Sequence, residues 1–279
     1  MPTVSFAGTD AIARLLGDED EKTVRLVRDQ LASLGDDAVP RLRLLVATGG
    51  SRVSSVAQDI LEEITRREHL LDFELLCRFF PEHGDLETAC WSMARALRPT
   101  ANCARLQHQL NSWGRRFLIR ISGAISSRER VKLLAELMSG ELEFRGNSDD
   151  YYNVRNCIFS EAMETRSGIP ITLTALAMFI ASRAGMRVCG INLPGHFIAS
   201  HGDVFFDPFH RGRIMTLSDC KDILRCQNIE PQPCHFQPAT PRQILRRMLA
   251  NLYYIYDLQG ECQRRQLIGG WMAGLIHNT

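Results

Sequence analysis

The sequence predicts an α+β protein: a helical first half, a small antiparallel sheet after it, and a helical close. Three observations carry this. Apolar residues recur at helical spacing as far as residue 140, and the period shifts toward two in "RVCGINL", "GHFIAS" and "DVFFDPF". Between these regions, the polar run "EFRGNSDDYYNVRN" (143–156) gathers turn formers, with Gly146, Asn147 and paired aspartates. Consecutive helices followed by consecutive antiparallel strands are the order of an α+β unit. The expected domains are a helical region over 1–140, a core over 141–239 and a helical hairpin over 240–279.

"DEKTVRLVRDQLASLG" sets Val24, Leu26, Val27, Leu31 and Leu34 largely on one face, with acids at its start and glycine at its end. "DDAVPRLRLLVATGG" carries proline in its first turn, and "SRVSSVAQDILEEITRR" opens on a serine cap. This alternation of short helices and tight turns is similar to a HEAT-like pair, with about one and a half units visible. Helices continue through "LLDFELLCRFF", "LETACWSMARAL", "ARLQHQLNSWGRRFLIRIS" and "SSRERVKLLAELMSG".

Beyond the polar run, "CIFSEAMETR" predicts a short helix. A long one then opens at Pro170 and closes at Gly185. In it Ile171, Leu173, Leu176, Met178, Phe179 and Ile180 occupy more than one face, so it is expected to be buried on nearly all sides. "SHGD" predicts a hairpin turn between two strands. After "EPQPCHFQPATP", Thr240 caps and Pro241 opens a last long helix, and Trp271 and Leu275 are expected to pack back against it as a hairpin.

Composition narrows the function classes. The chain has 279 residues, 45% hydrophobic and 23% charged, with a formal net charge of +1. A balance this even favours neither nucleic acid nor an anionic membrane. Nine scattered cysteines read as reduced thiols in a cytoplasmic protein. The N-terminus lacks the basic start and apolar run of a signal peptide. "IPITLTALAMFIASRAGM" is short for a bilayer span.

The ordered motifs "RSGIPITL", "PGHF" and "DPF", within residues 141–215, strongly resemble the SirB-type bacterial branch of the transglutaminase-like superfamily. The resemblance implies a papain-like core: a cysteine at the start of a buried helix, a histidine on the next strand and an aspartate on the one after. A helix N-terminus lowers a thiol's pKa, the histidine moves the proton, and the acid fixes the imidazole tautomer. On this similarity His196 is the family histidine and Asp207 the family acid. The cysteine position falls at Pro170, where the branch reads "GIPI", so the resemblance implies a core without its usual nucleophile.

Two replacements for that thiol are open. Thr172 lies near the same helix start but is a far poorer nucleophile than a thiolate. Cys157 lies one helix upstream and serves either as a packing residue or as a relocated nucleophile. Cys189 reads as core. Cys220, Cys226 and Cys234–His235 lack the spacing of a zinc site, and no metal or cofactor is expected. His196 with Asp207 forms either a ligand-facing pocket or a structural link between strands. His201 and His210 sit in turns and are expected to be solvated.

The branch also carries residues like Asn156 and Arg166. Arg166 would anchor a loop or receive an anionic group. Arg242, Arg246 and Arg247 form a charged stripe, solvated or partner-binding. Two functions follow: a non-catalytic regulatory module that binds a protein or peptide, or a peptide/amide hydrolase or acyl transferase with a relocated nucleophile.

Overall fold

A computed structural model describes residues 6–276, with side chains from Gly8 onward. Two compact units part at Asp72/Phe73. The first unit is helical: α1 (Phe6–Leu16), α2 (Glu21–Leu34), α3 (Val39–Thr48) and the first part of α4 (Ser51–Phe79). They enclose Leu16, Leu31, Leu42, Leu45, Ala57, Ile60 and Ile64. Asp20 caps α2 by accepting from the Lys22 amide, and Pro40 lies in the first turn of α3.

One element differs from expectation here. The two helices read over 51–67 and 70–80 are a single helix, α4. No glycine or proline stands between Ser51 and Phe79, so nothing in the chain stops the hydrogen-bond ladder.

The second unit holds α5 (Leu86–Leu97), α6 (Cys103–Ile121), α7 (Ser127–Ala135), α8 (Phe159–Thr165), α9 (Pro170–Ser182), α10 (Leu217–Cys226), α11 (Pro241–Leu258) and α12 (Cys262–Gly274). Its strands are β1 (Arg145–Gly146), β2 (Ser167–Gly168), β3 (Cys189–Ile191), β4 (Ile198–His201), β5 (Val204–Asp207) and β6 (Arg213–Met215). The compact units therefore do not part at the polar run 143–156. Instead α5 and α6 pack on α8 and α9, and α7 packs on β5 and β6.

β3, β4, β5 and β6 form one antiparallel sheet in chain order, and β1 pairs with β2 in parallel. β4 and β5 are joined across Gly202–Asp203, with His201 opposite Val204. The sequence signalled neither β6 as a partner of β5 nor the two-residue pair β1–β2.

α9 is the centre of this unit. Proline at its first position supplies the helical φ and lacks only an amide that would be unpaired there. α6, α8, α11, β3 and β4 surround it, and Met178 is the one residue from Pro170 to Ala181 that is not buried. At its end Arg183 reaches Glu87 on α5 at 2.6 Å and Asn111 on α6 at 2.7 Å, tying three helices together. α11 opens on a capping box of Thr240 and Gln243, and α12 folds back along it. Trp271 then meets Phe73 edge-on at 4.7 Å. Among the described residues no helix is long and apolar enough to cross a membrane.

Candidate functional site

The site is built where the chain enters β4 and leaves β5. His196 is not inside a strand: it closes a turn, its amide donating to the Leu193 carbonyl at 3.1 Å, two residues before β4. Gly195 makes that turn with φ +77, in the left-handed region that favours glycine. Asp207 is the last residue of β5 and is buried. The turn after it carries His210 and returns into β6 through Gly212, at φ +73. A Cβ on Gly212 would lie 2.2 Å from that of Ala135 on α7, so only glycine lets this turn pass.

His196 Nε2 lies 2.6 Å from Asp207 Oδ2, and His210 Nδ1 lies 2.7 Å from the same oxygen. The other carboxylate oxygen accepts from the amides of Phe209 at 2.9 Å and His210 at 3.3 Å. Burial alone would raise the pKa of Asp207. The bond and charge of His196, then those of His210, outweigh it and hold the carboxyl below its ordinary 3.8. An ionised Asp207 accepts, so the neutral His196 ring carries its proton on Nε2 and leaves Nδ1 as the acceptor. That is the tautomer a general base needs.

His210, expected to be solvated, joins the site through the local turn, although its side chain remains 59% exposed. His201 instead bonds the Arg187 carbonyl at 2.8 Å. His196, Asp207 and His210 each present a donor atom within 4.8 Å of the others, and they are the residues here that could hold a divalent cation. Cys220, Cys226 and Cys234–His235 do not form such a group among the described residues.

Two spaces meet His196. One is an open cavity of about 470 Å³, lined by His196, Asp207, His210, Arg213, Asp222 and Cys226 among others. The other is a crevice of about 10 Å³ against the start of α9, lined by Pro170, Ile171, Tyr151, Arg247 and Asn251. Pro170 thus stands beside the catalytic-type histidine, where the resemblance places a thiol. Arg247, read as part of a charged stripe, is half-buried in this crevice, and its neighbour Arg242 pairs with Glu82 at 3.7 Å.

Cys157 is 1% exposed, and burial pushes its thiol up to about 12, so it is a packing residue rather than a thiolate. Thr172 is buried with its hydroxyl unpartnered, so no base stands ready to take its proton. Asn156 does not face the cavity. Its side chain donates to the Asp150 carbonyl at 2.7 Å and that of Tyr151 at 3.2 Å, and accepts from Asn147 at 3.1 Å. It thereby fixes the loop that brings Tyr151 to the crevice. Arg166 does not reach His196 and lines a separate cavity. In place of the hydrogen-bonded loop anchor that was one of its two expected roles, its guanidinium stacks on aromatic rings, 4.5 Å from Trp113 and 5.0 Å from Phe144.

A family model described as the transglutaminase-like superfamily matches residues 104–250, more than half of the chain. The chain belongs to the transglutaminase-like superfamily. The superfamily match begins in α6, which agrees with the packing of α6 on α9. A UPF0162 protein of Xylella fastidiosa is 32% identical over 126 residues, 42% of this chain and 45% of that protein. A UPF0162 protein of Pseudomonas aeruginosa is 29% identical over 180 residues, 63% of this chain and 66% of that protein. Human F-box only protein 21 is 29% identical over 140 residues, 46% of this chain and 22% of that protein. The matched stretch thus spans about half of the first relative's length and about a fifth of the last. No solved structure matches the chain. Transglutaminase-like membership makes His196 and Asp207 the pair to test.

Because Asp207 is held below 3.8, its contribution to stability is present above that pH and is lost as pH falls through the lower folded value. The melting temperature of the native protein is therefore expected to drop on acidification below about pH 4 more steeply than that of Asp207→Asn, which has no proton to take up. Parallel slopes in a melting series from pH 6 to 3 would contradict the bonding described.

Proposed function

We propose that this chain is a non-catalytic, protein- or peptide-binding regulatory module of the SirB-type bacterial branch of the superfamily. The observation that carries the reading is Pro170 in one crevice with His196. A thiolate must lie within hydrogen-bond reach of its base, roughly 3–4 Å, to be activated and to return a proton. The pyrrolidine ring beside His196 can do neither.

What remains is a cavity suited to binding. Its volume of about 470 Å³ falls in the range of ligand sites. His210 and Arg213 offer donors and Asp222 an acceptor, a mixture that suits the polar groups of an extended peptide. The nine free cysteines support a reducing, cytoplasmic location.

The test is selection of a random heptapeptide display library on the full chain. Peptides enriched on native protein are expected to lose at least tenfold in affinity on His210→Ala, which removes an exposed donor from the cavity wall. Absence of enrichment over an uncoated surface, or equal binding by the variant, would count against the reading.

One observation favours a second reading, a peptide/amide hydrolase or acyl transferase with a relocated nucleophile. Cys226 is exposed and lines the same cavity as His196 and His210. It is, however, the last residue of α10, whereas the superfamily's nucleophile stands at the start of a buried helix. The binding reading is the stronger.

A further inference from the structure

We propose that a second site, lined by Arg211 of the β5–β6 turn and separate from the His196 cavity, binds a phosphate group through Arg145, Arg166 and Arg211. The three arginines line a polar cavity of about 440 Å³ together with Glu143 and Phe144. Among the described residues, none of the three guanidiniums has a carboxylate within ion-pair distance, whereas Arg98, Arg105, Arg155, Arg183 and Arg213 of this unit each have one.

The guanidinium of Arg166 carries the argument. Its Nη1 is buried and has no hydrogen-bond partner. Trp113 and Phe144 grip the planar group from the side, which fixes the direction of its donors. Burial also works against its charge, with the carboxylate of Glu143 the main opposing influence. An anion in the cavity would balance the charge that burial disfavours.

Backbone strain is the second, independent observation. Four non-glycine residues among those described have positive φ, and three of them line this one cavity: Glu143 at +58°, Arg166 at +57° and Arg211 at +55°. Such conformations cost free energy and gather where a ligand site needs particular groups aimed. Here they aim side chains from three separate places: the approach to β1, the end of α8 and the turn after β5.

The chemistry of the site selects the ligand class. Three guanidinium forks against one carboxylate leave a net positive cavity, and guanidinium geometry matches the oxygens of phosphate in a bidentate manner. A carboxylate offers two oxygens and one charge; a phosphate group offers three or four oxygens and up to two charges, enough to engage all three forks. The phosphate is either free or borne as a monoester on a small molecule.

The test is calorimetric titration of the full chain with inorganic phosphate, phenyl phosphate and benzoate in low-chloride buffer. Saturable binding of phosphate or phenyl phosphate is expected, with benzoate at least tenfold weaker. Tighter binding of phenyl phosphate than of inorganic phosphate assigns a monoester, and the reverse assigns the free ion. Arg166→Gln is expected to weaken phosphate binding at least tenfold and Arg211→Gln severalfold. Arg211 is exposed, so its variant decides the matter if Arg166→Gln does not fold. Absence of saturable binding to native protein, affinity unchanged in Arg211→Gln, or benzoate binding as tight as phosphate would each overturn the proposal.

Discussion

Leu176→Asp is expected to give no soluble folded protein. Leu176 lies in the middle of α9 with α6, α8, α11, β3 and β4 around that helix, and the residues on either side of it are buried as well. A carboxylate placed there loses its water without gaining a partner, a change of the class that costs more than about 4 kcal/mol. The loss of the leucine's own packing adds about 2–5 kcal/mol. Together these approach or exceed the roughly 5–15 kcal/mol that holds a domain folded. The measurement is soluble yield followed by thermal unfolding. A variant that melts where the native protein does would show that α9 is peripheral, and the positioning of His196 against its first turn would fall with it.

Pro170→Cys is expected to restore an activated thiol. The first position of a helix tolerates the exchange, because the amide it introduces is one that helices leave unpaired. The φ preset by proline is lost, at a cost of about 1 kcal/mol or less. The new thiol would sit at the positive end of the α9 dipole and share a crevice with His196, whose Nδ1 is free of Asp207. Both effects favour the thiolate. Its reaction with iodoacetamide should be at least tenfold faster at pH 7 than that of the exposed Cys234 and Cys262, with a pH–rate midpoint below the usual 8.5 or so of a free thiol. Replacing His196 by alanine in that variant should return the midpoint upward. A new thiol that reacts slowly, with or without His196, would mean that the crevice is not the superfamily's nucleophile position.

The main parts of the site were legible in the sequence because they are encoded locally. "PGHF" and "DPF" place a glycine turn before the histidine and an acid at a strand end, and the hydrophobic run after Pro170 admits only a buried helix. His210 was missed because a polar residue in a turn three positions after an aspartate gives no sign that its ring folds back onto that carboxylate. The left-handed backbone of Glu143, Arg166 and Arg211 was illegible for a similar reason. Glycine and asparagine advertise positive φ, whereas arginine adopts it only under tertiary compulsion. The packing of α5–α7 with the later chain was hidden too, since an amphipathic stripe announces that a face is covered without saying by what. Cys226 looked like a poor metal ligand in the sequence; only the fold of α10 beside β6 puts it in the cavity of His196.

The central claim is that His196 has no thiol to serve in the native chain. The most direct measurement is alkylation of the native protein with iodoacetamide at pH 7, each cysteine followed over time by mass spectrometry, alongside His196→Ala. The exposed Cys226, Cys234 and Cys262 are expected to react at the rates of ordinary thiols, with the same rates in both proteins, and the buried Cys157 to stay unmodified. A single fast-reacting cysteine, slowed at least tenfold by His196→Ala, would contradict the account and identify the relocated nucleophile.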